Sequence, residues 1–308
     1  MSFFAILLAL VFEQARPLGR ENPAHASLRA WSGWARHALD AGQVPHGWLA
    51  WLLAVVLPAL AAALVFWGLD RVHGLLGFVW VVVVLYLTLG FRQFSHHFTA
   101  IRVAMESGDD AGARQALARW KQVDVTESSR PVLLKQIIEH AVLLAHRHVF
   151  GVMVMFVVGA LLGLGPAGAV LYRMAEHVAR RWTAQTPVLA GDASAQAAAT
   201  AWRYVDTLPV RVTALAFAVV GNFEEAIANW RQDVRDRSND HLLLAATAGA
   251  MNLRLYDPLS TASAGSADVS GEGREPQLAH LASLVGLVWR SVLLWMLLLG
   301  LSMLSRWF

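Results

Sequence analysis

The chain alternates between long apolar runs and stretches in which apolar and charged positions recur at helical spacing. Residues 48–69 (WLAWLLAVVLPALAAALVFWGL) carry no charge. They reach the ~20 residues, at ~1.5 Å each, that a helix needs to cross a ~30 Å hydrocarbon core. Trp48, Trp51 and Trp67 lie near the ends of this run, where amphipathic rings favour the headgroup zone, and a membrane helix absorbs Pro58 as a kink. After the turn Asp70-Arg71-Val72-His73, residues 74–90 form a second run. Its VWVVVV has local strand character, but a lone strand in lipid leaves backbone groups unpaired, so helix is predicted. Together the two runs predict a tight transmembrane hairpin.

The remaining apolar runs are less regular. The amino terminus MSFFAILLALVF stops at Glu13 and lacks a basic start and a small-residue cleavage site, so a retained short or tilted helix is expected, with Glu13 meeting protein or interface. Residues 149–172 are long enough to cross but contain Gly163-Leu164-Gly165-Pro166, which makes a broken helix or re-entrant hairpin as acceptable as a plain span. Residues 209–221 are too short to cross alone and read as a half-helix or interfacial helix. Residues 278–304 form a last run, interrupted by Arg290, which is expected near an interface or paired inside. Between these, residues 99–147 show helical alternation and read as two or three amphipathic helices beside the bilayer, with breakers at Ser128, Ser129 and Pro131. Residues 188–201 and 257–277 are small, polar and aperiodic, and read as flexible loops. The predicted fold is an all-α polytopic membrane protein forming one domain over residues 1–308. It has four or five transmembrane helices, a broken or re-entrant segment, and interfacial helical segments at 14–47 and 91–147. Both interfacial segments are rich in arginine and lysine, four residues (Arg16, Arg20, Arg29, Arg36) in the first, against only Arg71 in the hairpin turn, which places them in the cytoplasm.

Composition sharpens this picture. Hydrophobic residues make up 56% of the 308 and charged ones 15%, too oily for one soluble core, so the partner implied is the lipid bilayer. With no cysteine, disulfides, thiol nucleophiles and cysteine-based metal sites are excluded. A net charge of +3 with dispersed basic residues excludes a nucleic-acid footprint. No phosphate-loop, dinucleotide-binding, zinc-protease or serine-hydrolase motif occurs.

Three polar constellations remain. In GFRQFSHHF, Arg92, His96 and His97 follow the second hairpin helix. Adjacent histidines on a helix point ~100° apart, so a shared metal is disfavoured and a basic interfacial cluster is the plainer reading. Glu139-His140 and His146-Arg147-His148 form two polar stripes leading into an apolar run: a solvated helix end, or an anion or acid–base site. In YVDTLPVR, Asp206 fits the N-cap of a helix with Pro209 in its first turn and Arg211 beyond, either a simple cap with a snorkelling arginine or an anion site at a helix N-terminus.

The opening MSFFAILLALVFEQARPLG, the stretch GPAGAVLYRMAEHVARRW, the element DTLPVRVTAL and VGNFEEAIANWR, in this order, resemble the CobD/CbiB and AmpE superfamily of bacterial inner-membrane proteins. The resemblance covers roughly residues 1–235 and the terminal helix, and its DxxPxR element falls on Asp206, Pro209 and Arg211. It implies a multi-pass protein of the inner membrane. Catalytic members resemble adenosylcobinamide-phosphate synthases, which use ATP and magnesium to join an aminopropanol or its phosphate to a corrinoid carboxylate. AmpE-type members are regarded as signalling proteins connected with β-lactamase induction and cell-wall stress. Against the catalytic pattern ESxAENxxDG, Glu139 is kept, but the later Glu, Asn and Asp fall near Leu143, Leu144 and Arg147. The NTxDSM stretch falls on Glu176-His177-Val178-Ala179-Arg180-Arg181. Magnesium and nucleotide need carboxylate and hydroxyl oxygens, and these positions have lost most of them.

The expectation is therefore a non-catalytic, AmpE-like sensor or regulatory protein without cofactor or metal. Its candidate ligand-binding residues are Arg92, His96, Glu139, His146, Asp206 and Arg211, and its partner is an anionic small molecule or a membrane protein, a second copy included. The alternative is an adenosylcobinamide-phosphate synthase with magnesium and ATP. A small-molecule transporter, resting only on the break at Gly163–Pro166, is a third.

Overall fold

The computed structural model describes residues 2–15, 23–39, 43–121, 129–185, 192–232, 238–255 and 273–305. Twelve helices occur among them: α1 (Ser2–Ala15), α2 (Pro23–Leu39), α3 (Val44–Val72), α4 (Gly74–Thr88), α5 (Phe91–Glu106) and α6 (Asp110–Lys121). They are followed by α7 (Arg130–Leu161), α8 (Ala167–Gln185), α9 (Ala193–Val220), α10 (Phe223–Gln232), α11 (Asn239–Met251) and α12 (Leu278–Leu304). No strand occurs among the described residues beyond one isolated bridge, Leu253 to Arg274, so the expected all-α class holds. Three helices, α3, α7 and α12, are long and apolar enough to cross a membrane, and α1 and α4 are shorter apolar helices.

Packing divides the chain into two compact units, residues 1–91, 147–209 and 299–308 in one, and 92–146 and 210–298 in the other. In the first unit α3 and α4 form the predicted hairpin. Its turn is shorter than the four residues expected: only His73 leaves helical conformation, and its Nδ1 accepts from the Leu75 amide at 3.2 Å. Trp80 Nε1 donates to the Ala62 carbonyl at 3.1 Å and fastens the two arms. The unit's core joins Ala35 of α2, Trp51 and Val55 of α3, Met174, Val178 and Trp182 of α8, and Ala198 of α9. Glu13 is 3% exposed, so it meets protein, as one of its two expected options required. In the second unit α10 and α11 form a close hairpin, with Gly249 against the Glu225 backbone, and α11 packs on the first half of α7.

The run 149–172 takes the broken form, one of the options expected for it, while other expectations are corrected. Gly163 (φ 74°) and Gly165 (φ 57°) take left-handed conformations that other residues resist, α7 ends at Leu161, and the chain doubles back into α8. The segment long and apolar enough to cross is instead α7, whose first part was read as an amphipathic helix beside the bilayer. The half-helix starting at Pro209 is also wrong, because α9 begins at Ala193 and carries Pro209 in its interior. Alanine's high helix propensity and the Asp192 carboxylate, which caps the Ser194 and Ala195 amides at 2.9 and 3.1 Å, explain why residues 193–201 are helix rather than loop. The rest of that predicted loop, 188–191, and most of 257–277 lie outside the described residues. Arg290 is exposed and donates to its own helix's Gly286 carbonyl at 3.2 Å.

Candidate functional site

The spacing Arg173, Glu176, Arg180 on α8 puts three charges on one helical face. Arg173 Nη1 donates to Glu176 Oε2 at 3.2 Å and Arg180 Nη1 to Oε1 at 3.0 Å, so both carboxylate oxygens are engaged. Glu176 is 4% exposed, whereas the Arg180 side chain is 54% exposed and opens the cluster outward. Arg173 Nη2 lies 3.4 Å from His148 Nδ1. His148 belongs to a π-helical turn, His146–Phe150, inside α7, a local widening that frequently marks functional positions. Burial alone would push the Glu176 carboxyl up. The surrounding positive groups, Arg173 foremost and Arg180 and Arg147 with it, outweigh that and hold it at about 2. Burial likewise keeps His177 down at about 4. One turn earlier on α8, Tyr172 donates to Asp206 Oδ1 at 2.8 Å, with both side chains fully buried. Gly151 leaves the space the phenol occupies, since a Cβ there would collide with the Tyr172 hydroxyl. The same unit holds an ion pair between Arg36 and Asp192, with the Arg36 guanidinium 6.0 Å from the Trp182 ring centroid.

The predicted ligand residues do not form one site. Asp206 is no N-cap: it lies inside α9 and serves as acceptor for Tyr172 in the first unit. His146, Glu139, His96 and Arg211 belong to the second unit. There His146 is fully buried and its Nδ1 lies 2.9 Å from Thr213 Oγ1. Arg211, also on α9, is exposed. His96 stacks on His97, His97 on Trp120, and Trp120 meets His140 edge-on, so Glu139 adjoins a column of rings rather than a chelating set. Arg92 lies in the first turn of α5, and its side chain falls outside the described residues.

Sequence reasoning singled out none of Arg173, Glu176 and Arg180 as ligands. The signal available was their i, i+3, i+7 spacing in YRMAEHVARRW. A magnesium–nucleotide complex does not fit these residues. Leu143 and Leu144 offer no oxygen, Arg147 repels a cation, and Glu176 is already bound on both oxygens. Among the described residues no three His, Asp or Glu side chains are grouped to hold a metal ion.

Comparison with known proteins gives a consistent family. The family described as CobD/Cbib protein matches residues 3–288. A protein of Stutzerimonas stutzeri named cobalamin biosynthesis protein CobD is 28% identical over 273 residues, covering 85% of this chain and 84% of its own. One of the same name from Chromobacterium violaceum is 28% identical over 204 residues, covering 66% and 63%. No solved structure matches.

Proposed function

We propose, since the chain belongs to the CobD/CbiB family, that it is a multi-pass inner-membrane protein which binds an anionic intermediate of cobalamin biosynthesis. The names of both relatives support cobalamin biosynthesis over the AmpE-like signalling role expected first. The observation that carries the binding reading is the arginine cluster around Glu176: Arg173 and Arg180 of α8 hold its two oxygens, and the Arg180 side chain is 54% exposed. An exposed guanidinium at the mouth of a buried charged cluster can meet an anionic guest, and Arg's fork suits carboxylate or phosphate oxygens. Loss of the oxygen ligands that hold magnesium and nucleotide favours binding over the ATP-dependent ligation. The same loss favours a regulatory, AmpE-like role as the second reading.

One experiment separates these readings. The gene is expressed in a strain lacking adenosylcobinamide-phosphate synthase, and the purified protein in lipid nanodiscs is titrated with cobyric acid, a coloured corrinoid carboxylate. The proposal expects no cobalamin-dependent growth, together with saturable corrinoid binding that Arg180→Gln weakens. Growth rescue would establish the ligase instead. Neither growth nor binding would overturn the proposal and leave the regulatory role.

A further inference from the structure

The first unit contains a cleft of about 140 Å³ unrelated to the charged cluster. Its walls come from α3 (Ala59, Leu60, Ala63), the end of α7 (Met155), the turn that follows it (Leu162) and the start of α8 (Leu171), and every lining residue is aliphatic, glycine or methionine. Small side chains create it: Ala59, Ala63 and Ala167 form a miniature core there, and their methyl groups do not fill the space between the helices. An apolar space of this size does not hold water stably, because water needs two or more polar partners. On its rim Leu60 is 50% and Leu162 68% exposed, so the cleft opens outward.

We propose that this cleft holds one acyl chain of a bilayer phospholipid. Two observations choose that occupant. Both α3 and α7 are long and apolar enough to cross the membrane, so the medium facing the opening is hydrocarbon. Trp67 fixes the depth: its Nε1 donates to the Gly163 carbonyl at 2.7 Å, and an indole with a polar tip belongs at the headgroup level. From Trp67 to Leu60 is seven residues of α3, about 10 Å, which lies within the ~15 Å half-thickness of the hydrocarbon core. The cleft therefore lies beneath the headgroups, at a depth reached by the middle of a chain. The inference rests on the spanning helices and not on the corrinoid reading.

The test uses the full-length protein in liposomes containing a trace of phospholipid with a photoreactive diazirine at mid-chain, followed by irradiation and peptide mass spectrometry. The expected result is labelling of Met155, Leu162 and Leu171 several-fold above that of Leu52 and Leu293, which face outward without a cleft. Ala63→Leu fills the space and is expected to bring cleft labelling down to the level of those outward leucines while their own labelling persists, which also shows that the variant is inserted. Uniform labelling of the unmodified protein would overturn the proposal. So would enrichment that survives Ala63→Leu, or protection of the cleft by cross-linking to a second copy of the chain.

Discussion

The α3–α4 hairpin reverses on one extended residue, His73, and both of its arms are apolar. The hairpin of α7 and α8 reverses through residues 162–166, with two left-handed glycines, and its returning arm carries Arg173, Glu176, His177, Arg180 and Arg181. The first hairpin meets the demands of lipid largely by composition, with Trp67 and Trp80 each donating only to a backbone carbonyl. The second brings charges into a tightly packed interior, where each must find a counter-charge within the protein. Specific contacts should therefore dominate the second hairpin and be nearly dispensable in the first.

The largest expected break in this contrast is Glu176→Leu. It leaves Arg173 partly buried without its carboxylate and should cost about 3–5 kcal/mol. Leu64→Ala, on an outward leucine of α3, should stay within about 0.5 kcal/mol. Thermal unfolding of the detergent-solubilised proteins checks both, and equal losses would dissolve the distinction. Next come two glycines. A methyl group at Gly168 would collide with the Met155 carbonyl across the α7–α8 crossing, so Gly168→Ala should destabilise by about 1–3 kcal/mol. Gly68 on α3 has open space around it, and Gly68→Ala should stabilise by about 0.5–1 kcal/mol through lost chain entropy.

Acidification should act on the second hairpin. His177, held at about 4 against 6.5, binds a proton sooner in the unfolded chain, so its contribution is complete above pH 6.5 and is lost as pH falls to 4. Glu176, held at about 2 against 4.5, contributes fully above pH 4.5 and loses that contribution as pH falls through 2. Tm should thus decline in two stages below pH 6.5, and Glu176→Gln should remove the lower stage. A flat profile between pH 6.5 and 4 would contradict the burial assigned to His177. The smallest effect is expected at the turn of the first hairpin, where His73→Ala removes one capping acceptor and should cost about 0.5 kcal/mol by the same unfolding measurement.

The same contrast governs how much was legible in the sequence. The α3–α4 hairpin could be read because an apolar run of membrane length has few other structures open to it. The break at Gly163–Pro166 was visible too, but its consequence was not: the segment long enough to cross begins upstream in α7, where apolar and charged positions alternate at helical spacing and read as an amphipathic helix. For α9, the small residues 193–201 lack periodicity, and Pro209 marks a helix start so often that its place inside a helix was missed. Asp206 stood out in the sequence as a polar residue before an apolar run, yet its partner is Tyr172, a pairing set by packing between α8 and α9 that no local spacing encodes. The family of the chain was recognised from motifs, and the matches extend it over nearly the whole length.

The pair of Arg36 and Asp192 joins positions 156 residues apart. A ribosome adding ~5–20 residues per second makes the second partner about 10–30 s after the first. Trp182, the ring beneath Arg36, is also among the later residues. Throughout that interval α2 has neither this counter-charge nor the Trp182 ring, so α2 completes these contacts only after α8 and the start of α9 have been synthesised. For α2, then, early synthesis does not mean early anchoring: its polar and aromatic partners are supplied by chain made well after it.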